Sequence, residues 1–208
     1  MNTLAAALLA VASAACGGNA QVTTTPAPQH AEQAGHADPT GGHPWTEADV
    51  RFMSNMIGHH AQAIEMARLA PTHGASPAVQ TLAARVIGAQ EDEIATMQQW
   101  LRDRGQPVPE PHAEHHGHGG MMPGMLTPEQ MAQLDAARGE EFDRLFLTLM
   151  IQHHRGAVRM VSELFGSYGA GQDETVFKFA SDVNVDQETE IARMQRMLEA
   201  LLFAAPSQ

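Results

Sequence analysis

The chain has a single cysteine, Cys16, at the end of its N-terminal apolar run. The remainder therefore has no thiol, which excludes thiolate metal sites, thiol redox chemistry and disulfides together. Basic residues are also scarce. Twelve Lys plus Arg stand against twenty-four Asp plus Glu, a formal charge of −12, which repels phosphate backbones and anionic headgroups and argues against a nucleic-acid partner. No β-rich alternating run occurs, nor any zinc-finger or His-Glu-x-x-His spacing. What the chain has in excess is twelve His and thirteen Met, beside one Tyr and two Trp.

The opening "MNTLAAALLAVASAAC" is apolar for about a dozen residues, too short to span a bilayer and of the length of an export-signal core. Cys16 follows "SAA" and precedes "GGN", the arrangement of a bacterial lipoprotein cleavage site. Residues 1–16 are thus read as a signal ending in a lipidated Cys16. This implies an extracytoplasmic location, in the periplasm or at the cell surface, touching the membrane only through the lipid. Cleavage after Ala15 by an ordinary signal peptidase stays open, because no Lys or Arg precedes the run and Ser13 stands where Leu is usual. Residues 17–45 are built from small and polar residues with no apolar period, the composition of a tether.

A helical domain is expected over 46–204. "TEAD" at Thr46 to Asp49 is a capping-box start, and apolar positions recur at Met53, Met56, Ile57, Ile64 and Ala67. Pro71 ends this helix. Ser76 and Pro77 open a second, which carries Val86, Gln90, Ile94, Met97 and Leu101 on one face and closes the hairpin 46–104. Residues 105–126, rich in Pro, Gly, His and Met, read as an unpacked connection. "TPEQ" at Thr127 to Gln130 starts the hairpin 127–204, with one helical stretch to about Phe165, bent near Gly139. The last helix runs from Asp173 and shows Phe177, Ala180, Gln187, Ile191, Met194, Met197 and Leu201 to the core.

The two hairpins are copies. "MIGHHAQAIEM" from Met56 returns ninety-four residues later as "MIQHHRGAVRM" from Met150, and Asp49, Phe52, Ala63 and Met66 match Asp143, Phe146, Ala157 and Met160. In the partner helices Gln90, Glu93, Ile94 and Met97 match Gln187, Glu190, Ile191 and Met194 at an offset of ninety-seven. Two related hairpins make an all-α four-helix bundle with a pseudo-twofold axis. On the helical wheel His60 and His154 point inward, while His59 and His153 fall at the edge of the buried stripe, facing a seam or water. Inward His and Met also suit plain packing, with the imidazole bonded to a neighbouring Glu or Gln. Asp49 is accounted for by its capping box, Asp143 by helix solubility, and Arg68, Arg155 and Arg159 by the solvated face.

The loop is an independent signal. His112, His115, His116, His118, Met121, Met122 and Met125 crowd a segment that is not expected to pack, and His30, His36 and His43 lie in the tether. Thioether sulfur suits Cu(I), and imidazole serves both copper oxidation states. Oxygen-rich Ca²⁺ or Mg²⁺ cages are missing. A ferritin-type di-iron centre needs Glu-x-x-His, and Ile57 and Ile151 stand where the Glu would be.

The doubled "MIxHHxxAIxM" pattern with "QEDEIATM" and "QETEIARM" downstream resembles the exported helical family called domain of unknown function 305, over about Asp49 to Leu202. That resemblance implies a ferritin-like four-helix fold and an extracytoplasmic location. Its characterised members imply copper binding through Met56, His59, His60, Met97, Met150, His153, His154 and Met194. The His/Met loop lies outside the family pattern, and Leu147 replaces the Met53 of the first half. The expectation is an exported copper-binding protein that sequesters, buffers or carries the ion without catalysis, with a copper transporter or a second copy of itself as candidate partners. Carboxylates near the imidazoles would raise their pKa values and weaken binding at pH 5 to 6. Two alternatives stay open: a redox enzyme holding two Fe or Mn ions between Glu93, Glu190, His60 and His154, and a metal-free structural bundle.

Overall fold

The computed structural model describes residues 44–110 and 121–203. The leader with Cys16, the tether His30, His36 and His43, and the loop His112, His115, His116 and His118 lie outside the described residues.

Five helices and no strand occur among the described residues: α1 (Glu47–Leu69), α2 (Pro77–Asp103), α3 (Pro128–Ala136), α4 (Gly139–Phe165) and α5 (Glu174–Phe203). Local chemistry sets their ends. Thr46 and Thr127 form reciprocal capping boxes with Asp49 and Gln130, and Ser76 caps α2 ahead of Pro77. At the other end of α2, Gly105 takes a positive φ of 62°, so that Gln106 N–H reaches Leu101 O and Gly105 N–H reaches Arg102 O. That pattern satisfies two carbonyls the helix would leave bare.

The helical stretch expected from Thr127 to Phe165 is broken rather than bent. Ala137 and Arg138 are extended and Gly139 has φ 61°, so α3 and α4 are separate elements. Gly139 N–H donates to His73 O in the turn after α1, and His73 Nε2 lies 2.9 Å from Asp135 O. The break lets the chain pass that turn with its backbone groups paired.

Each hairpin packs internally, α1 on α2 and α4 on α5, and α1 against α4 joins them into the four-helix bundle. The core is in two parts. One apolar cluster gathers the N-terminal half of α1, the C-terminal half of α2, the C-terminal half of α4 and the start of α5. The other gathers the opposite halves, and only Ile64 of α1 departs from this division. Trp45, placed in the tether by sequence, belongs to the first cluster and meets Trp100 edge-on at 6.2 Å. Phe177 faces outward at 56% exposure beside Phe165, and its neighbours Val176 and Phe179 are the core residues instead.

Two carboxylates cross between the hairpins. Asp49, fully buried, accepts from Thr46 N–H, Thr46 Oγ1–H and the Gly171 N–H at 2.7 Å in the turn between α4 and α5. Asp143, expected to serve only solubility, is buried and accepts from Ser76 N–H at 3.1 Å, in the turn between α1 and α2. Each hairpin thus ties down the other's turn with charge-assisted bonds.

Candidate metal centre

The imidazoles, amides and carboxylates at the middle of the long helices form one layer. On every long helix they fall between the two apolar clusters: His59 and His60 on α1, Gln90 and Glu93 on α2, His153 and His154 on α4, Gln187 and Glu190 on α5. The 3.6-residue repeat places them there, because each sits in the same stripe as the apolar positions on either side.

The inner pair engages carboxylates. His60 Nε2 lies 2.7 Å from Glu93 Oε2, and His154 Nε2 lies 2.7 Å from Glu190 Oε2. The second contact has hydrogen-bond alignment, whereas the first is close enough for an ion pair but poorly aligned. Met56 and Met150 stand one turn before these histidines, and Met97 and Met194 one turn after the glutamates, so each hairpin offers imidazole, carboxylate and two thioethers on facing stripes. All four methionines are fully buried. Met56 and Met97 belong to the first cluster and Met150 and Met194 to the second, so sulfur flanks the imidazole layer from both sides.

The edge histidines meet each other. His59 and His153, assigned by the wheel to a seam or to water, are buried with ring centroids 3.9 Å apart, across the α1–α4 contact. Burial pushes the His59 pKa down from 6.5 to about 3, with further lowering by His60. Burial likewise holds His153 well below 6.5, helped by His59 and His154. The expected rise from nearby carboxylates therefore fails for this pair, because desolvation of the cation dominates. Sequence reading named Glu93 and Glu190 as ligands only in the two-metal alternative and not among the copper donors, although their spacing to Gln90, Met97, Gln187 and Met194 marked the same face.

Several polar atoms in the layer have no hydrogen-bond partner in the protein: Nδ1 of His59, His60 and His154, both ring nitrogens of His153, and the amide groups of Gln90 and Gln187 in whole or part. Neutral buried imidazoles with free lone pairs are what a soft cation requires. Among the described residues, however, no three of His, Cys, Asp and Glu are grouped so as to hold an ion by themselves.

The end of the His/Met loop is packed, contrary to the expected unpacked connection. Met122 lies against the first cluster and Met125 is half-buried, while Met121 is exposed. Pro123 O lies 3.0 Å from His59 Nε2. No helix among the described residues is long and apolar enough to cross a membrane.

A model of the family described as domain of unknown function (DUF305) matches residues 49–198. The chain belongs to the DUF305 family. Among solved structures the DUF305 chain is similar to a DUF305 fragment from Deinococcus radiodurans, at 31% identity and TM-score 0.65, covering 75% of this chain and 98% of that one. It is similar to a DUF305 protein from Streptomyces coelicolor described as secreted, at 28% identity and TM-score 0.65, covering 74% and 93%. It is also similar to CopM in its Cu(II)-bound form, at 33% identity and TM-score 0.59, covering 73% and 95%. CopM has a Cu(I)-bound form as well, 30% identical to this DUF305 chain. No curated protein matches the sequence. The likeness to CopM points to a copper-related role, and that to the Streptomyces protein to an extracytoplasmic one.

Proposed function

We propose that this is an exported copper-binding protein, anchored through a lipid on Cys16, that sequesters or carries the ion as cargo without turnover. The observation that carries the reading is the buried layer of four imidazoles with unpartnered ring nitrogens, flanked by buried thioethers. Its kinship with copper-bound CopM supports the choice of metal. Met56, His59, His60, Met97, Met150, His153, His154 and Met194 would supply the donors, with Glu93 and Glu190 orienting His60 and His154 from behind. Bound copper would add only its affinity for these donors; burial keeps water from all four imidazoles and disfavours protonation of His59 and His153. Residues 112–125 would collect ions more loosely. A copper transporter would be the partner that receives or supplies the cargo.

An anaerobic Cu(I) titration against a competing chelator tests this on full-length protein, on a His60→Ala, His154→Ala double variant and on a variant lacking 112–120. Tight binding lost in the double variant and kept in the deletion is the expected result. No affinity for Cu(I) in the intact protein would sink the proposal. Oxygen or peroxide consumption dependent on Fe or Mn would favour the two-metal enzyme instead, although the grouping of ligands among the described residues gives that little support.

A further inference from the structure

Residues 121–126 cross α1 and α4 as a strap, and their seat is built from positions at which the two repeats differ. Position 58 is Gly in the first repeat and its counterpart 152 is Gln; position 62 is Gln and its counterpart 156 is Gly. All but Gly58 grip the strap. Gln62 reads both faces of one residue's backbone: Leu126 N–H donates to Gln62 Oε1 at 2.7 Å, and Gln62 Nε2–H donates to Leu126 O at 3.0 Å. Gln152 Nε2–H reaches toward Gly124 O at 3.4 Å, and Gln130 Nε2–H donates to Gln152 Oε1 at 3.3 Å.

Gly156 is the notch. A Cβ there would stand 2.0 Å from Pro123 O, and a Cβ on Gly124, whose φ is 76°, would stand 2.7 Å from Gly156 Cα. Backbone meets backbone at this crossing, so no side-chain adjustment can accommodate either methyl.

What the strap delivers is the Pro123 carbonyl, 3.0 Å from His59 Nε2. A carbonyl oxygen only accepts, so Nε2 must carry the proton, and in the neutral ring this leaves the lone pair on Nδ1. That Nδ1 is buried and unpartnered. His153, tilted against the same ring, faces the His59 backbone instead of the strap. We propose that the strap is a positioning element for the candidate metal centre: Pro123 fixes His59 as an Nδ1 donor, a contact from outside the two hairpins that His153 does not receive. The two halves of the bundle are therefore inequivalent at their centre. The proposal rests on the copper-binding reading for its consequence, but not for its geometry.

The test is a long-range ¹H–¹⁵N correlation spectrum of the histidine side chains, recorded on the metal-free full-length protein and during titration with Ag(I) and Cu(I). Wild type should show His59 in the Nε2–H form. Gly156→Ala, which expels the strap, should mix the tautomers and weaken Cu(I) binding by about tenfold, the usual scale for loss of a group orienting a ligand. Should Gly156→Ala not fold, Gln62→Ala loosens the same strap without a steric clash, and Pro123→Ala, which keeps the carbonyl, should retain the wild-type tautomer. Ions should shift His59 Nδ1 and leave Nε2 protonated. His59 protonated at Nδ1 in wild type, tautomers unchanged in both strap variants, or ligation through Nε2 would each overturn the proposal. If the tautomer result held but no ion bound, the copper reading would fall and the strap would be a structural clamp only, which also overturns the positioning role.

Discussion

Acid should destabilise the metal-free protein between pH 6.5 and 5, above the range in which most carboxylates titrate. His59 would take up a proton near 6.5 in the unfolded chain but only at about 3 when folded. Between those values the unfolded chain binds a proton that the folded chain does not, so stability falls as pH falls. The slope approaches about 1.4 kcal/mol per pH unit for one such ring, giving a loss of about 2 kcal/mol at pH 5 relative to pH 7.5. His153 acts in the same direction, since burial lowers its pKa too. Such a loss is a large share of the 5–15 kcal/mol or so that holds a typical domain together. Urea unfolding at pH 7.5, 6.5, 5.5 and 5.0 measures it directly, and a His59→Asn, His153→Asn variant should lose most of the slope over that interval. A stability that is flat or rising toward pH 5 in the wild type would refute the assignment of these rings as buried and neutral.

Asp49→Ala should cost about 3 kcal/mol in chemical denaturation, because it strips a buried acceptor from Thr46 and Gly171 together; a cost below about 1 kcal/mol would contradict the cross-bracing of the hairpins. Phe179→Ala should destabilise by about 3 kcal/mol and Phe177→Ala by about 1 kcal/mol at most, since only the first side chain lies in the core; equal losses would return the face to the one expected from the sequence. Glu93→Gln and Glu190→Gln should each weaken Cu(I) affinity by about tenfold in a chelator competition with little change in unfolding midpoint. Unchanged affinity in both would remove the carboxylates from any role behind His60 and His154.

The helix starts were written locally and could be read locally. Thr46, Ser76 and Thr127 cap their helices through bonds spanning three residues, and the inward face of α1 and α2 follows from the 3.6-residue period alone. What escaped the sequence depends on the approach of one helix to another. Periodicity put His59 and His153 at an edge, but only the α1–α4 crossing turns two edges into a buried contact. Asp143 looked like a surface charge because its partner, Ser76 N–H, lies sixty-seven residues away. The packed end of the loop was hidden by its Pro and Gly content, although the exchange of Gly and Gln between the repeats at 58, 62, 152 and 156 was a legible sign that something asymmetric lay across them. Of the proposed loop donors, only Met121, Met122 and Met125 fall within the described residues.

The reciprocal carboxylates bear on ancestry. A lone hairpin would expose one aspartate with nothing to hold and one turn with nothing to hold it, whereas two copies related by a dyad satisfy both at once. The ancestral unit is therefore best pictured as an isologous pair of identical chains, later fused end to end. Fusion would have freed the two copies to diverge, and the end of the linker that joined them now crosses both asymmetrically.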